Sequence, residues 1–274
     1  MIRDITIGQY YGTDSVIHKL DPRVKLLATF VFIISLFIKR SIITYSGATL
    51  FLVIVIILSK VPIRYIFKGL KPVLLLLLFT CVMSLLFTRT GTVLIDKKPL
   101  IITTEGIKNA LFLGIRLAEL VIGSSILTYT TKPAELTDGI ERGFKFLNAF
   151  KVPVHEFAMM MSIALRFIPI LTEELDRIMK AQEARCATFN EGNVIKRAKA
   201  MAPILIPLLV AAIKRANDLA LAMEARCYRG GEGRTKLYPL KYAGRDVVGY
   251  MVLLIYFAGM IGLRIVIGKL KIGI

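Results

Sequence analysis

The sequence predicts an all-α integral membrane protein, with about five transmembrane helices and a cytosolic coupling domain of long amphipathic helices. Three observations carry this prediction. Apolar residues make up 55% of the 274 positions and the mean hydropathy is +0.66. Long stretches free of charge recur along the chain, and the 37 Lys plus Arg and 19 Asp plus Glu fall mostly between them. A nucleic-acid-binding domain would carry its net charge of +18 on a polar surface around a modest core, and a disordered chain would lack the apolar content. Both classes are excluded, and no nucleic acid is expected among the partners.

The first twenty or so residues, with Arg3, Asp4 and Asp14 and a polar run from Gly8 to Ser15, lack the basic start and apolar core of a cleavable signal. The amino terminus is expected to stay inside. Uncharged apolar stretches at 26–38, 41–59, 72–88 and 247–263 each read as a span. The first is short for a bilayer core that needs roughly 20 helical residues, but Lys25, Lys39 and Arg40 can lay their stems along it and reach the headgroups. A further span, 109–131, is interrupted by Arg116 and Glu119. Their i, i+3 spacing places them on one helical face, where they can neutralise each other. The segment 60–71 carries Lys60, Arg64, Lys68 and Lys71 without an acid, whereas 89–108 mixes Asp96 and Glu105 with its bases. The excess of bases places 60–71 in the cytoplasm, so the amino terminus and the end of the 109–131 span lie inside a bacterial-type, multi-pass cell membrane. Three regions follow: a membrane bundle over 1–131, a cytosolic helical coupling domain over 132–245, and a last transmembrane helix over 246–274.

The coupling region is too charged to face lipid, yet its apolar residues recur at helical spacing. Leu171, Leu175, Ile178 and Gln182 form one stripe, and Ile213, Ala216, Ala220, Met223 and Cys227 another. The apolar runs 157–165 and 201–213 are too brief to span alone, and Pro153, Pro169, Pro203 and Pro207 punctuate them. Three amphipathic helices are expected, over 133–150, 154–189 and 201–228.

Glu183-Ala184-Arg185-Cys186 recurs as Glu224-Ala225-Arg226-Cys227. Each copy closes a long amphipathic helix, and the helical signal stops after it, at Asn190 to Asn193 in one case and at Gly230, Gly231 and Gly233 in the other. A single arginine near a helix C-terminus usually complements the macrodipole and sits in solvent. Two copies of the same four residues at equivalent ends favour docking instead. A small residue on either side of each arginine leaves the guanidinium projecting from a slim tip, suited to bidentate contacts in a partner's groove. Two tips need two grooves, which two similar subunits would supply.

The segment from Ser15 to Leu27 (SVIHKLDPRVKLL), the two Ala-Arg-small motifs, and Tyr228-Arg229-Gly230-Gly231-Glu232-Gly233-Arg234-Thr235 together resemble the transmembrane T component of energy-coupling factor transporters, ATP-driven importers of vitamins and metal ions. The resemblance covers essentially the whole chain. It implies two ATP-binding-cassette ATPase subunits as partners, each gripping one arginine motif, and a substrate-binding membrane S component. It implies docking through Ala184, Arg185, Cys186 and Ala225, Arg226, Cys227, with ATP and Mg held by the partner subunits and no cofactor on this chain. The family's motifs usually end in glycine where Cys186 and Cys227 stand here.

No Gly-x-x-x-x-Gly-Lys-Ser/Thr loop is present, nor a His-Glu-x-x-His helix or a nucleophile elbow. The chain is therefore expected to be non-catalytic, with ATP hydrolysed elsewhere. Cys81, Cys186 and Cys227 share no metal-ligand spacing, and no metal site is expected. His18 and His155 stand far apart and read as structural. Met159, Met160 and Met161 point around a helix and cannot converge on one ion; they suit adaptable packing, here against the S component. The rival reading is a self-sufficient carrier or channel with Arg116 and Glu119 in its path, since ionisable groups at membrane depth often mark one. A lone pair makes no relay, and a structural role is preferred.

Overall fold

The computed structural model describes residues 10–38, 41–88, 90, 92–97, 100–187, 194–230 and 240–269. The expectations placed on Arg3 to Gly8, Lys39, Arg40, Asn190 to Asn193 and Gly231 to Thr235 lie outside these residues. Eight α-helices are present among them: α1 (Pro22–Ser35), α2 (Ile42–Ser59), α3 (Ile63–Phe87), α4 (Thr104–Thr130), α5 (Pro133–Gly143), α6 (Val154–Glu183), α7 (Val194–Ala225) and α8 (Gly244–Lys269). A 3-10 turn over Lys145–Phe150 separates α5 from α6. The all-α class holds, with one addition: the expected loop between α3 and α4 contains an antiparallel hairpin, β1 (Val93–Lys97) with β2 (Leu100–Thr103).

Five helices have the length and apolar composition of membrane spans, namely α2, α3, α4, α6 and α8. This corrects two expectations. The run at 26–38 yields a helix of 14 residues, about 21 Å long at 1.5 Å per residue, too short for a core about 30 Å thick. The run at 157–165, expected to be too brief to span alone, lies within a helix of 30 residues that runs on through Pro169 and has the length and composition of a span. A proline removes one N–H from the ladder, and a helix held on both sides can carry that loss.

The chain forms two compact units, one of Met1–Arg142 with Leu240–Ile274, the other of Gly143–Pro239. In the first, α1, α2, α4 and α8 meet in a core of Phe32, Leu36, Tyr45, Ala48, Leu52, Phe112, Ile126 and Met260. The Phe51 and Tyr256 rings stack at 4.1 Å between centroids. Close approach supplies the cohesion, as it must where lipid is as apolar as the core. Gly123 on α4 faces the Phe32 ring of α1, and Gly69 on α3 lies against Ser125 and Tyr129 of α4. The α3–α4 turn is tied by Thr103, whose hydroxyl donates to Thr88 O at 2.9 Å and accepts from Gly106 N at 3.1 Å as the N-cap of α4. α5 belongs to this first unit: Gly139 packs against Pro22 and Leu26 of α1.

A buried polar cluster fastens the amino-terminal segment to this bundle. The Asp246 carboxylate, at the start of α8, accepts from Asp21 N at 2.8 Å and Ala243 N at 2.7 Å. Asp21 caps α1 by accepting from Arg23 N, and the Arg23 guanidinium lies 4.5 Å from the Tyr242 ring centroid. Lys25 does not reach headgroups as expected. It is 5% exposed, and its ammonium donates to His18 O and Thr130 O, both at 2.9 Å. Burial lowers its pKa to about 8, against the opposing pull of Glu135, Asp21 and Asp246. His18 Nε2–H donates to Tyr11 O at 2.9 Å, and its Nδ1 is hydrogen-bonded to the Ser15 hydroxyl at 2.7 Å. Its pKa is held below the ordinary value, first by burial, with Lys25 acting in the same direction.

Candidate functional site

In the second unit α6 and α7 pack on each other, and Ile163, Phe167 and Leu171 of one helix line a pocket with Ala212, Arg215, Ala216, Leu219, Ala220 and Met223 of the other. Glu174 and Arg215 pair across them at 3.4 Å. The expected stripe on α6 is half-buried at Leu171, Leu175, Ile178 and Gln182, while Glu173, Arg177 and Lys180 are exposed. On α7 the inward face is rotated from the expectation. Ile213 is 53% exposed, whereas Ala212, Arg215, Leu219 and Met223 are partly covered. The half-buried residues of α7 recur at Leu208, Ala212, Arg215, Leu219 and Met223, while Ala216 and Ala220 of the expected stripe are exposed.

Both arginine motifs close their helices in the same geometry. Cys186 N donates to Glu183 O at 2.9 Å and Ala187 N to Gln182 O at 3.0 Å. In the second copy Cys227 N donates to Glu224 O at 2.8 Å and Tyr228 N to Met223 O at 3.0 Å. This pair of bonds is the Schellman closure, which puts the residue after the helix into the left-handed region. Cys186 has φ 64° and Cys227 φ 56°. Glycine takes that conformation freely, whereas a side chain there costs roughly 1–2 kcal/mol, so the closure itself accounts for the glycine usual at these two points.

Arg185 and Arg226 are thus the last residues before the left-handed turn in each motif. Both are exposed, as are Ala184, Cys186, Ala225 and Cys227. Neither guanidinium has an ion-pair or hydrogen-bond partner among the described residues. A charge at a tip with exposed flanks is free to enter a concave acceptor site, and the paired N–H groups of guanidinium favour carboxylates or convergent carbonyls there. Met160 and Met161 are 52% and 53% exposed, and Met159 is half-buried. With Phe157 and Ile168, which are also exposed, Met161 forms an uncovered apolar strip on α6.

Arg116 and Glu119 do not neutralise each other. No salt bridge joins them among the described residues, because each finds a partner on α2. Arg116 Nε donates to the Tyr45 hydroxyl at 2.7 Å and its guanidinium lies over the Phe37 and Tyr45 rings. Thr49 is hydrogen-bonded at 2.5 Å to Glu119, which is 4% exposed. The two groups therefore join α4 to α2. Sequence reasoning also missed Asp246, Asp21 and Lys25 as partners. The available signal was an acid or base at the very edge of an apolar run, where a charge that cannot reach water needs buried hydrogen bonds.

These features define a polytopic helical membrane protein with a separate two-helix lobe bearing twin cationic tips. A family model described as "Cobalt transport protein" (CbiQ) matches residues 13–237. The chain is 50% identical over 270 residues to the energy-coupling factor transporter transmembrane protein EcfT of Clostridium kluyveri, covering 98% of this chain and all of the relative. It is 50% identical over 248 residues to EcfT of Ruminiclostridium cellulolyticum, covering 90% of this chain and 92% of that one. EcfT of Bacillus subtilis is 42% identical over 264 residues, 96% of this chain and all of that relative. The chain belongs to the EcfT family, the transmembrane components of energy-coupling factor transporters.

Proposed function

We propose that this transporter component is a non-catalytic scaffold and coupling subunit, docked through Arg185 and Arg226 on two ATP-binding-cassette ATPases that hold ATP and Mg. The observation that carries this is the twin closure: two exposed arginines, without a partner among the described residues, presented in one geometry at the ends of two helices packed on each other. When nucleotide closes the ATPase pair, the grooves holding the arginines approach each other and the two helices swing. The uncovered strip of Phe157, Met161 and Ile168 with Met159 and Met160 supplies the contact with a substrate-binding S component, which is reoriented to release its cargo inward. Vitamins or other micronutrients are the cargo class. In this reading 60–71, with its four bases, and the coupling lobe face the cytoplasm, and α6 does not cross the bilayer despite its length.

Arg116 and Glu119 serve the bundle in this reading, since both side chains bond to α2. The purified chain alone in liposomes should therefore give no solute flux under an imposed gradient. Gradient-driven flux from the chain by itself would establish a self-sufficient carrier and end this proposal.

A further inference from the structure

α3 is a helix with two opposite faces. Ile66, Gly69, Leu70, Val73, Leu77, Thr80, Cys81 and Ser84 are buried or half-buried. This face meets α4, with Gly69 against Ser125 and Tyr129, and with the Cys81 thiol donating to Ala110 O. At about 100° per residue, the far side of the helix carries Arg64, Lys68 and Lys71, followed by Leu75, Leu78 and Val82, all within an arc of about 80°. All six are exposed. None of the three bases has an ion-pair or hydrogen-bond partner among the described residues, and the first turn of α3 holds no acid. Within its own unit α3 packs on α4 and β2, and α4 meets the opposite side.

From Leu75 to Val82 the apolar part of the stripe runs about 10 Å at 1.5 Å per residue, within the depth of one leaflet of a core about 30 Å thick. The bases occupy the next 10 Å or so along the same line. Acyl chains lying on Leu75, Leu78 and Val82 would bring their headgroup level with the three cations. Bases serving only to fix topology need no common face and no register with an apolar stripe. The geometry points to a lipid site: we propose that Arg64, Lys68 and Lys71 bind the phosphate of an anionic phospholipid whose chains lie along the outer face of α3. Length, sign of charge and continuity with the apolar stripe all match a membrane-held headgroup, and its phosphate oxygens match guanidinium and ammonium donors.

The test uses the full chain in phosphatidylcholine nanodiscs containing a trace of spin-labelled phosphatidylglycerol or, separately, spin-labelled phosphatidylcholine. The motionally restricted fraction of each label reports its association with the protein. Wild type should hold the glycerol lipid in preference to the choline lipid, and Lys71→Gln should weaken that preference about fivefold. Lys71→Gln leaves Lys60, Arg64 and Lys68 to direct insertion, which guards against a failure of topology. Lys60→Gln removes one charge off the stripe and should leave the preference unchanged. Equal association of the two lipids with wild type, or equal losses from the two variants, would overturn the proposal. So would displacement of the lipid by millimolar soluble glycerol phosphate, since that would make the site one for free phosphate.

Discussion

Replacing both Arg185 and Arg226 with Glu should abolish coupled ATP hydrolysis and uptake while the chain still inserts and the two-helix lobe still folds. Each arginine lies at the exposed end of a closed helix, with no partner among the described residues, so its loss removes no internal bond. The closure on either side is made by backbone groups, which a change of side chain leaves in place. What is lost is the contact with the partner. A hydrogen bond to a charged group is worth about 1.5–3 kcal/mol, so a single Ala substitution should weaken docking by roughly 10- to 100-fold. Glu adds repulsion from any acidic groove. Each single variant should lower uptake, and the double variant should eliminate it. Uptake at wild-type level from the double variant would show that the tips are not the mechanical link.

Gly123→Leu should destabilise the membrane bundle more than any exposed substitution on the same helix. A Cβ at this position would stand 2.7 and 2.8 Å from two carbons of the Phe32 ring, and Phe32 is 4% exposed. That ring stacks on Phe51 and Tyr256, themselves stacked together, so it cannot withdraw without moving both. Overpacking of this kind costs typically about 1–3 kcal/mol. The thermal midpoint of the purified chain in mild detergent should fall, with a smaller drop for Gly123→Ala. An unchanged midpoint for the leucine variant would contradict the packing of α1 on α4.

How far the sequence discloses this molecule depends on whether the deciding interaction is local. α2 and α8 follow from uncharged apolar runs, and the helix ends at Arg185 and Arg226 from the loss of periodicity beyond them. The closure at those ends is local too, which is why one tetrapeptide gives one geometry twice. What escapes is set by partners distant in the chain. Lys25 is drawn inward by the carbonyls of His18 and Thr130, the latter more than a hundred positions away. Arg116 and Glu119 satisfy the helical spacing for a pair, yet Tyr45 and Thr49 take them instead. The helix expected over 154–189 is present as Val154–Glu183 with Pro169 inside it, so that proline interrupts the apolar run and not the helix. On α7 the covered face runs through Ala212, Arg215, Leu219 and Met223 and leaves Ile213, Ala216 and Ala220 exposed, a choice made by contact with α6 that apolar spacing alone does not reveal.

The native thiols offer the most direct measurement of the central claim. Cys186 and Cys227 each follow a docking arginine and are exposed, while Cys81 is partly buried between α3 and α4. A small charged maleimide should label both Cys186 and Cys227 readily in the isolated chain. In the complex with its two ATPases, both should be protected together while any slow labelling of Cys81 stays the same. Labelling of Cys186 and Cys227 at undiminished rates with the ATPases bound would contradict the account, because it would leave both arginine tips in water.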